Sequence, residues 1–292
     1  MSDLAAAEPT IRIARDHGDF QACVELQRVV WGLGDLDVTG PSQLLATVRA
    51  GAILLLAEDL EGRVIGFSYA FPGLHGAEPH LHSDMLAVLP EARGRGLGPR
   101  LKWAQRDEAV RRGLELITWT FDPLQAGNAR LNLRRLGATA TEILPDLSGT
   151  TSSALHHGLP TDRLLVRWEL QSPSVKERSG GQAPPPAARL LDAPRINEVS
   201  WEEDRPVSSP PLLDLDEAAL LFEVPAAWSE LCRADPTAAR AWHGLARDVF
   251  ETYFARRYRA VDLLTVKEKG RPRPRYVLYR FPSSPRGDLT FL

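Results

Sequence analysis

The sequence predicts a mixed α/β protein with a smaller α+β segment at its C-terminal end. Three observations carry this. From Thr10 to Leu170, period-two apolar stretches alternate with stretches of helical period. A run rich in serine, glycine and proline then interrupts the pattern at Ser172–Ala188. Beyond it lie a long amphipathic helix and two closing apolar strands.

The elements follow in order. "TIRIA" (Thr10 to Ala14) alternates as a strand. "DFQACVELQRVVWG" spaces Phe20, Cys23, Val24, Val30 and Trp31 as one helix face and ends at Gly32. "PSQLLATVRAG" is a second helix, with proline near its start and glycine after it. Two strands follow, "AILLLAED" and "RVIGFSYAF", joined by the turn "DLEGR". "HLHSDMLAV" is a third strand, and a helix runs from about Pro99 to Arg112, stopped by Gly113. "LELITWTFD" is rich in β-branched and aromatic residues and reads as a strand. "AGNARLNLRRLGA" is a short helix ended by Gly137, and "RLLVRWEL" (Arg163 to Leu170) is a further strand. The Pro-Pro-Pro run in "SPSVKERSGGQAPPPAA" reads as a flexible or polyproline linker. After it come the strand-like "LLDLDEAALLFEVP", a helix with Asp235 as N-cap and Pro236 at its first position, and the strands "AVDLLTV" and "RYVLYRF". The expected organisation is a domain over 1–171, a linker over 172–188 and a C-terminal α+β domain over 189–292.

Composition excludes several classes. A net charge of −3 provides no global basic field for nucleic acid. The longest apolar run, "GAILLLA", is strand length and far too short to cross a bilayer. "MSDLAAAEPT" has neither the basic start nor the apolar core of a signal peptide. The two cysteines, Cys23 and Cys232, form no disulfide framework or metal motif, and a reducing cytoplasmic home fits them. His156–His157 is a pair without a third ligand at metal spacing, so no metal is expected.

The chemistry concentrates in "LPEARGRGLGPRLKWAQRDEA", Leu89 to Ala109. Gly94, Gly96 and Gly98 allow close backbone approach just before a helix. The unpaired N–H groups of that helix's first turn and its dipole favour an anion. Arg93, Arg95 and Arg100 add positive charge, and Pro99 fits the first helical turn. A di- or polyphosphate suits this turn better than a lone carboxylate. No Gly-Lys-Ser/Thr follows, so it is not a P-loop, and neither register of G-x-G-x-x-G is completed, with Pro99 or Leu101 at the third glycine position.

What remains is Arg-x-x-Gly-x-Gly at Arg93, Gly96 and Gly98, within "LAVLPEARGRGLG". This resembles motif A of the GNAT N-acetyltransferases, and the element order from Thr10 to Leu170 resembles their fold. The resemblance extends to "NARLNLRRLGA" and covers roughly the first 170 residues. The fuller string through "LITWTFDPL" is similar to a branch of that family with a C-terminal extension, some members of which are linked to acylation of amino acids. The resemblance implies an acyl-CoA N-acyltransferase fold, with acetyl-CoA or another acyl-CoA as co-substrate. It implies that "HLHSDMLAV" parts from "ELITWTFD", that the backbone of Leu86, Ala87 and Val88 meets the pantetheine arm, and that the turn Arg93–Arg100, Leu97 included, holds the pyrophosphate. Asn128 stands where the family often contacts the CoA arm.

Direct transfer needs a base for the amine and an acid for the departing thiolate. The tyrosine that many family members place four residues before the glycine is here Leu133, four before Gly137. In several relatives a glutamate stands where this chain has His82. The period of two puts His82, Asp84 and Leu86 on one face, and a histidine can act as base near neutral pH. Two readings stay open: His82 as base with Asp84 beside it, or a half-exposed strand histidine bonded to Asp84. Trp119 and Asp122 end the next strand near the expected acceptor entrance. Trp119 is either a substrate contact or core, and Asp122 either holds the acceptor's amine or caps the next turn.

The C-terminal segment echoes the helix–turn–strand–strand end of a GNAT domain without its glycine-arginine turn. It reads as a degenerate half-domain that shapes the acceptor cleft or a homodimer interface, or as an unrelated α+β cap. The expected function is acyl-CoA-dependent N-acylation of a small-molecule amine, with an amino acid or derivative among the candidates and acetyl or another short acyl group as donor. The alternative is a catalytically weak CoA-binding module with a sensing or scaffolding role.

Overall fold

The computed structural model describes residues 8–75, 78–147, 149, 159–181, 185 and 188–281. They fall into two compact units, one up to Trp119 and the other from Thr120 onward.

The first unit is a mixed sheet in the order β1-β2-β3-β4-β5. Its strands are β1 (Thr10–Ile13), β2 (Ile53–Glu58), β3 (Val64–His75), β4 (Glu78–Val88) and β5 (Leu116–Phe121), whose last residues cross the unit boundary. β1 to β4 are successive antiparallel neighbours, and β4 runs parallel to β5. Three helices cover the sheet: α1 (His17–Trp31), α2 (Pro41–Arg49) and α3 (Leu97–Arg111).

Local chemistry sets the ends of these helices. Asp16 caps α1 by accepting the Asp19 N–H at 3.2 Å, and Gly32 closes it in the left-handed region at φ 66°. α3 buries Leu97, Leu101, Gln105, Glu108 and Ala109, a stripe at helical spacing against β2, β3 and β4. It begins at Leu97, two residues before the expected start, which places Pro99 at its third position, still within the first turn.

The second unit carries the sheet order β7-β6-β11-β12-β10. The strands are β6 (Thr139–Leu144), β7 (Arg163–Glu169), β10 (Ala219–Glu223), β11 (Tyr258–Glu268) and β12 (Arg271–Arg280). A separate hairpin pairs β8 (Val199–Glu202) with β9 (Arg205–Ser208). Helix α4 (Ala126–Ala129) continues into a wider π turn over Arg130–Arg135. The remaining helices are α5 (Pro173–Arg178), α6 (Ala188–Leu191), α7 (Trp228–Ala234) and α8 (Pro236–Ala255). Asp235 caps α8 by accepting the Ala238 N–H at 2.9 Å, as expected. Phe222, Phe250, Tyr253, Tyr258 and Tyr276 form the fully buried aromatic centre of this unit.

Two features of this unit differ from the sequence reading. The composition break at 172–188 falls inside the unit: β11 pairs with β6 at Ala260↔Ala140, and Asp262 of β11 takes the Arg134 guanidinium at 2.6 Å. The expected flexible linker also begins as helix α5. It buries Ser174, Val175 and Arg178, and Arg178 donates to the Arg134 and Ser174 carbonyls at 2.9 and 2.8 Å.

Candidate active site

β4 and β5 pair only at Leu81↔Ile117 and His82↔Thr118. Ser83 and Trp119 are thus the first residues beyond the pairing, and from there to Val88 one edge of β4 has no β5 partner. An edge of this kind presents backbone N–H and C=O groups that an extended amide-bearing ligand can pair with.

The fork has a bulge in it. Ser83 lies opposite Ala70 and Met85 opposite Tyr69, which leaves Asp84 as the extra residue of β4. A bulge moves every later side chain to the other face. His82 faces the α1/α2 side, where its ring lies 5.5 Å from Phe71 and its Nδ1 3.0 Å from Thr118 Oγ1. Ser83 faces α3, where its Oγ accepts from Lys102 Nζ at 2.8 Å. Past the bulge Leu86 also turns to α3, since a side chain on Gly98 would meet Leu86 Cδ2 at 3.8 Å. His82 and Leu86 therefore do not share a face, contrary to the period-two expectation, and His82 is bonded to Thr118 rather than to Asp84.

Burial pushes the His82 imidazole below its ordinary value, against the opposing pull of Asp84. Asp84 itself is exposed at the strand surface; partial desolvation pushes its carboxyl up and His82 offsets part of that. Trp119 is interior, only 6% exposed, with Lys102 Nζ 3.8 Å from the centre of its ring. This places it with α3 in the core rather than at a solvent-facing acceptor entrance.

The chain leaves β4 through a single 3-10 turn, Pro90–Ala92, and enters α3. Gly94 and Gly96 take φ of 78° and 75°, which side-chain-bearing residues rarely adopt, and the space where their side chains would project is open. No side chain caps α3. The turn thus presents open backbone at a helix N-terminus, which fits a phosphate group. The three arginines do not contribute alike. Arg95 is exposed. Arg93 is tied by its Nε to the Val88 carbonyl at 3.0 Å. Arg100 turns away from the glycines, donating to the Pro9 carbonyl at 2.8 Å and lying 3.4 Å from Glu8.

The structure thus brings His82, Asp84, Leu86, Ala87, Val88, the Arg93–Arg100 turn and Trp119 together in the first unit. Asn128 and Asp122 belong to the second. Asn128 is exposed on α4. Asp122 caps its turn, accepting the Leu124 N–H at 2.8 Å and the Trp228 indole N–H at 3.1 Å. Desolvation pushes its carboxyl up. Leu133 is fully buried, so no proton donor stands at that position. His156 and His157 lie outside the described residues. Among the described residues no group of three or more His, Cys, Asp or Glu side chains is placed to hold a metal, and no helix is long and apolar enough to cross a membrane.

The residue that the sequence reading missed is Lys102. A lysine on an amphipathic helix ordinarily extends its amine to water. Here the side chain is only 3% exposed, bonded to Ser83 and to Gln105 Oε1 at 3.2 Å. Its one legible signal is spacing: Lys102 follows Leu101 and precedes Gln105 by three, on the buried side of α3.

Residues 21–138 match the sequence model of the acetyltransferase (GNAT) family. The match runs from within α1 to Ala138, a GNAT-like stretch with the acyl-CoA N-acyltransferase fold. No curated protein matches the chain. Among solved structures it is similar to yncA of Salmonella typhimurium with its cofactor acetyl-CoA, at 24% identity and TM-score 0.45 over 62% of this chain and 99% of that one. It is also similar to the phosphinothricin acetyltransferase of Sinorhizobium meliloti in complex with acetyl-CoA, at 18% identity and TM-score 0.45 over 55% and 88%. YhbS of Escherichia coli in complex with CoA gives 21% identity and TM-score 0.39 over 63% and 90%.

Proposed function

We propose that this protein transfers a short acyl group from acyl-CoA directly to the amine of a small molecule. The carrying observation is the succession along the chain of the β4–β5 fork, the open Gly94–Gly96 turn and the uncapped start of α3. The β4 edge from Asp84 to Val88 pairs with the pantetheine amides. The turn's backbone N–H groups hold the pyrophosphate, and Arg95 adds charge from its rim. Gly98 keeps the passage beside Leu86 clear.

His82 is the base in this reading. The Nδ1 contact to Thr118 Oγ1 fixes the ring orientation, and in the tautomer whose Nδ1–H donates there Nε2 carries the lone pair that takes the amine proton. Its depressed pKa keeps the imidazole neutral, and hence able to accept, down to below pH 6.5. The acceptor class is expected to be amino acids or their derivatives, in a cytoplasmic setting.

Acetyl-CoA titration by calorimetry, followed by thiol release with acetyl- and succinyl-CoA over a panel of amines, tests the proposal. Tight donor binding with amine-dependent thiol release is the expected result. Leu133 favours a second reading, a CoA-binding module without turnover. Donor binding with no thiol release on any amine would establish that reading instead.

A further inference from the structure

The fork separates two chemistries by face. His82, at the last paired position, looks toward α1 and α2; Ser83, one residue on, looks toward α3. An acyl carbon held between the parted strands would then be approached by the amine from the His82 face and left by sulfur on the Ser83 face. Leu133 supplies no acid, yet a buried amine already sits against Ser83.

We propose that Lys102 and Ser83 form the proton relay that protonates the departing thiolate. The inference rests on the acyl-transfer reading above. When the carbon–sulfur bond breaks, its electron pair stays on sulfur. Sulfur takes the proton of Ser83 Oγ, and Ser83 takes one from Lys102 Nζ. CoA leaves as the thiol and Lys102 is left neutral, to regain a proton from water once CoA has gone. Ser83 is the group that would meet the reacting atoms; Lys102 acts through it.

The surroundings support a transferable proton on this amine. Nζ lies 2.8 Å from Ser83 Oγ, 3.2 Å from Gln105 Oε1 and 3.8 Å from the centre of the Trp119 ring, so it spans the first residues beyond the fork on both strands. Burial pushes its ammonium down to about 7. Among its neighbours on β4 and β5, His82 is the titratable group that senses it, and is pushed down in part by the Lys102 charge. The carboxylate of β2, Glu58, is held by Arg12 at 2.5 Å, and Tyr69 of β3 donates to Thr47 at 2.8 Å. On α3 itself Glu108 is paired with Arg111 and Arg112, and Asp107 with Arg106.

The test reads the product as well as the rate. In the full chain the thiol of bound CoA is titrated by its thiolate ultraviolet absorbance, in wild type, Lys102→Met and Ser83→Ala. The relay predicts that wild type ionises the bound thiol at lower pH than free CoA, and that both variants move it back up. It also predicts that kcat for acetyl transfer falls at least about 100-fold in both, within the range of general acid catalysis. Acetyl-CoA affinity should stay unchanged, and the loss of rate above about pH 7 that deprotonation of Lys102 imposes should disappear. Ser83→Ala adds no volume and keeps the test open should Lys102→Met fail to fold. If CoA binds and turns over but neither variant shifts the thiol titration or the alkaline limb, the relay is wrong and the acyl-transfer reading stands. If wild type binds no CoA, both fall.

Discussion

His82 Nδ1 lies 3.0 Å from Thr118 Oγ1, and these two residues are also the last paired position of β4 and β5. The same contact that orients the imidazole therefore marks where the strands part. An imidazole bonded at the closing rung of a fork is held at one angle to whatever enters the gap.

The first prediction follows from that placement. His82→Gln is expected to lower kcat/KM for acyl transfer by about 100-fold, at the low end of what a positioned base contributes. The wild-type acid limb should lie below pH 6.5, because burial depresses the imidazole. Asp84 opposes that depression, so Asp84→Asn should lower the His82 pKa further and carry the acid limb to still lower pH. A pH–rate profile of both variants decides this; an acid limb that stays put in Asp84→Asn would uncouple the pair.

Gly96→Asp is expected to abolish acetyl-CoA binding in a folded protein. The backbone there has φ 75°, which strains any side chain, and a carboxylate would project into the open space at the start of α3 where phosphate is proposed to lie. Gly94→Ala should weaken binding less, since it adds strain without charge. Calorimetric titration of both, beside circular dichroism to verify folding, checks the order.

Much of this was legible in the residues. The glycine-arginine turn, the caps at Asp235 and Gly32 and the order of the long strands follow from spacing and composition. Other features did not, for physical reasons. Nothing in "HSDMLAV" marks Asp84 as a bulge, because a bulge is a register property of two strands, and missing it assigned Leu86 to the wrong face. The strand Thr139–Leu144 has mixed polarity, and its place is fixed by partners such as Val166 and Ala260, both distant in sequence. Helix α5 was hidden by serine, proline and glycine around it. Arg178 and the left-handed Gly137, whose missing side chain leaves room for the Ser174 carbonyl, hold it in place.

Asp162, on the second unit, is 1% exposed and accepts Arg247 Nε at 3.0 Å and its terminal nitrogen at 2.5 Å, with the Asp146 N–H at 3.0 Å. Asp162→Asn keeps the shape and removes the charge. It is expected to cost roughly 1.5–3 kcal/mol, the range for hydrogen bonds to charged groups. Urea unfolding, with Arg247→Met and the double variant closing a cycle, measures it. Additive losses would show that the two residues do not act as a pair.

Restoring the family tyrosine should not restore an acid. Leu133 is fully buried in the π turn, so Leu133→Tyr forces a ring and a hydroxyl into filled space. A loss of roughly 1–3 kcal/mol is expected from overpacking, with no gain in kcat. Faster turnover with unchanged stability would overturn this expectation.

Lys102 makes a prediction about stability that is independent of any role in catalysis. Its ammonium titrates near 7 in the folded chain against an ordinary 10.5. Below about pH 7 both folded and unfolded chains carry the proton, and the folded state bears the full penalty of a buried charge. Between the two values the unfolded chain binds the extra proton, so stability rises with pH across that window. Above 10.5 both are neutral and the penalty is gone. At about 1.4 kcal/mol per pH unit of the gap, the penalty is a few kcal/mol. Lys102→Met, similar in length and apolar, removes it and loses the contacts to Ser83 and Gln105. The variant is therefore expected to be more stable than wild type by about 2 kcal/mol or more at pH 6, with the lead shrinking steadily toward pH 10. Urea midpoints of both proteins, taken at intervals over that range, give the difference directly and cancel the titration of every other group. A lead that does not change with pH would mean that the Lys102 amine reaches water in the folded protein.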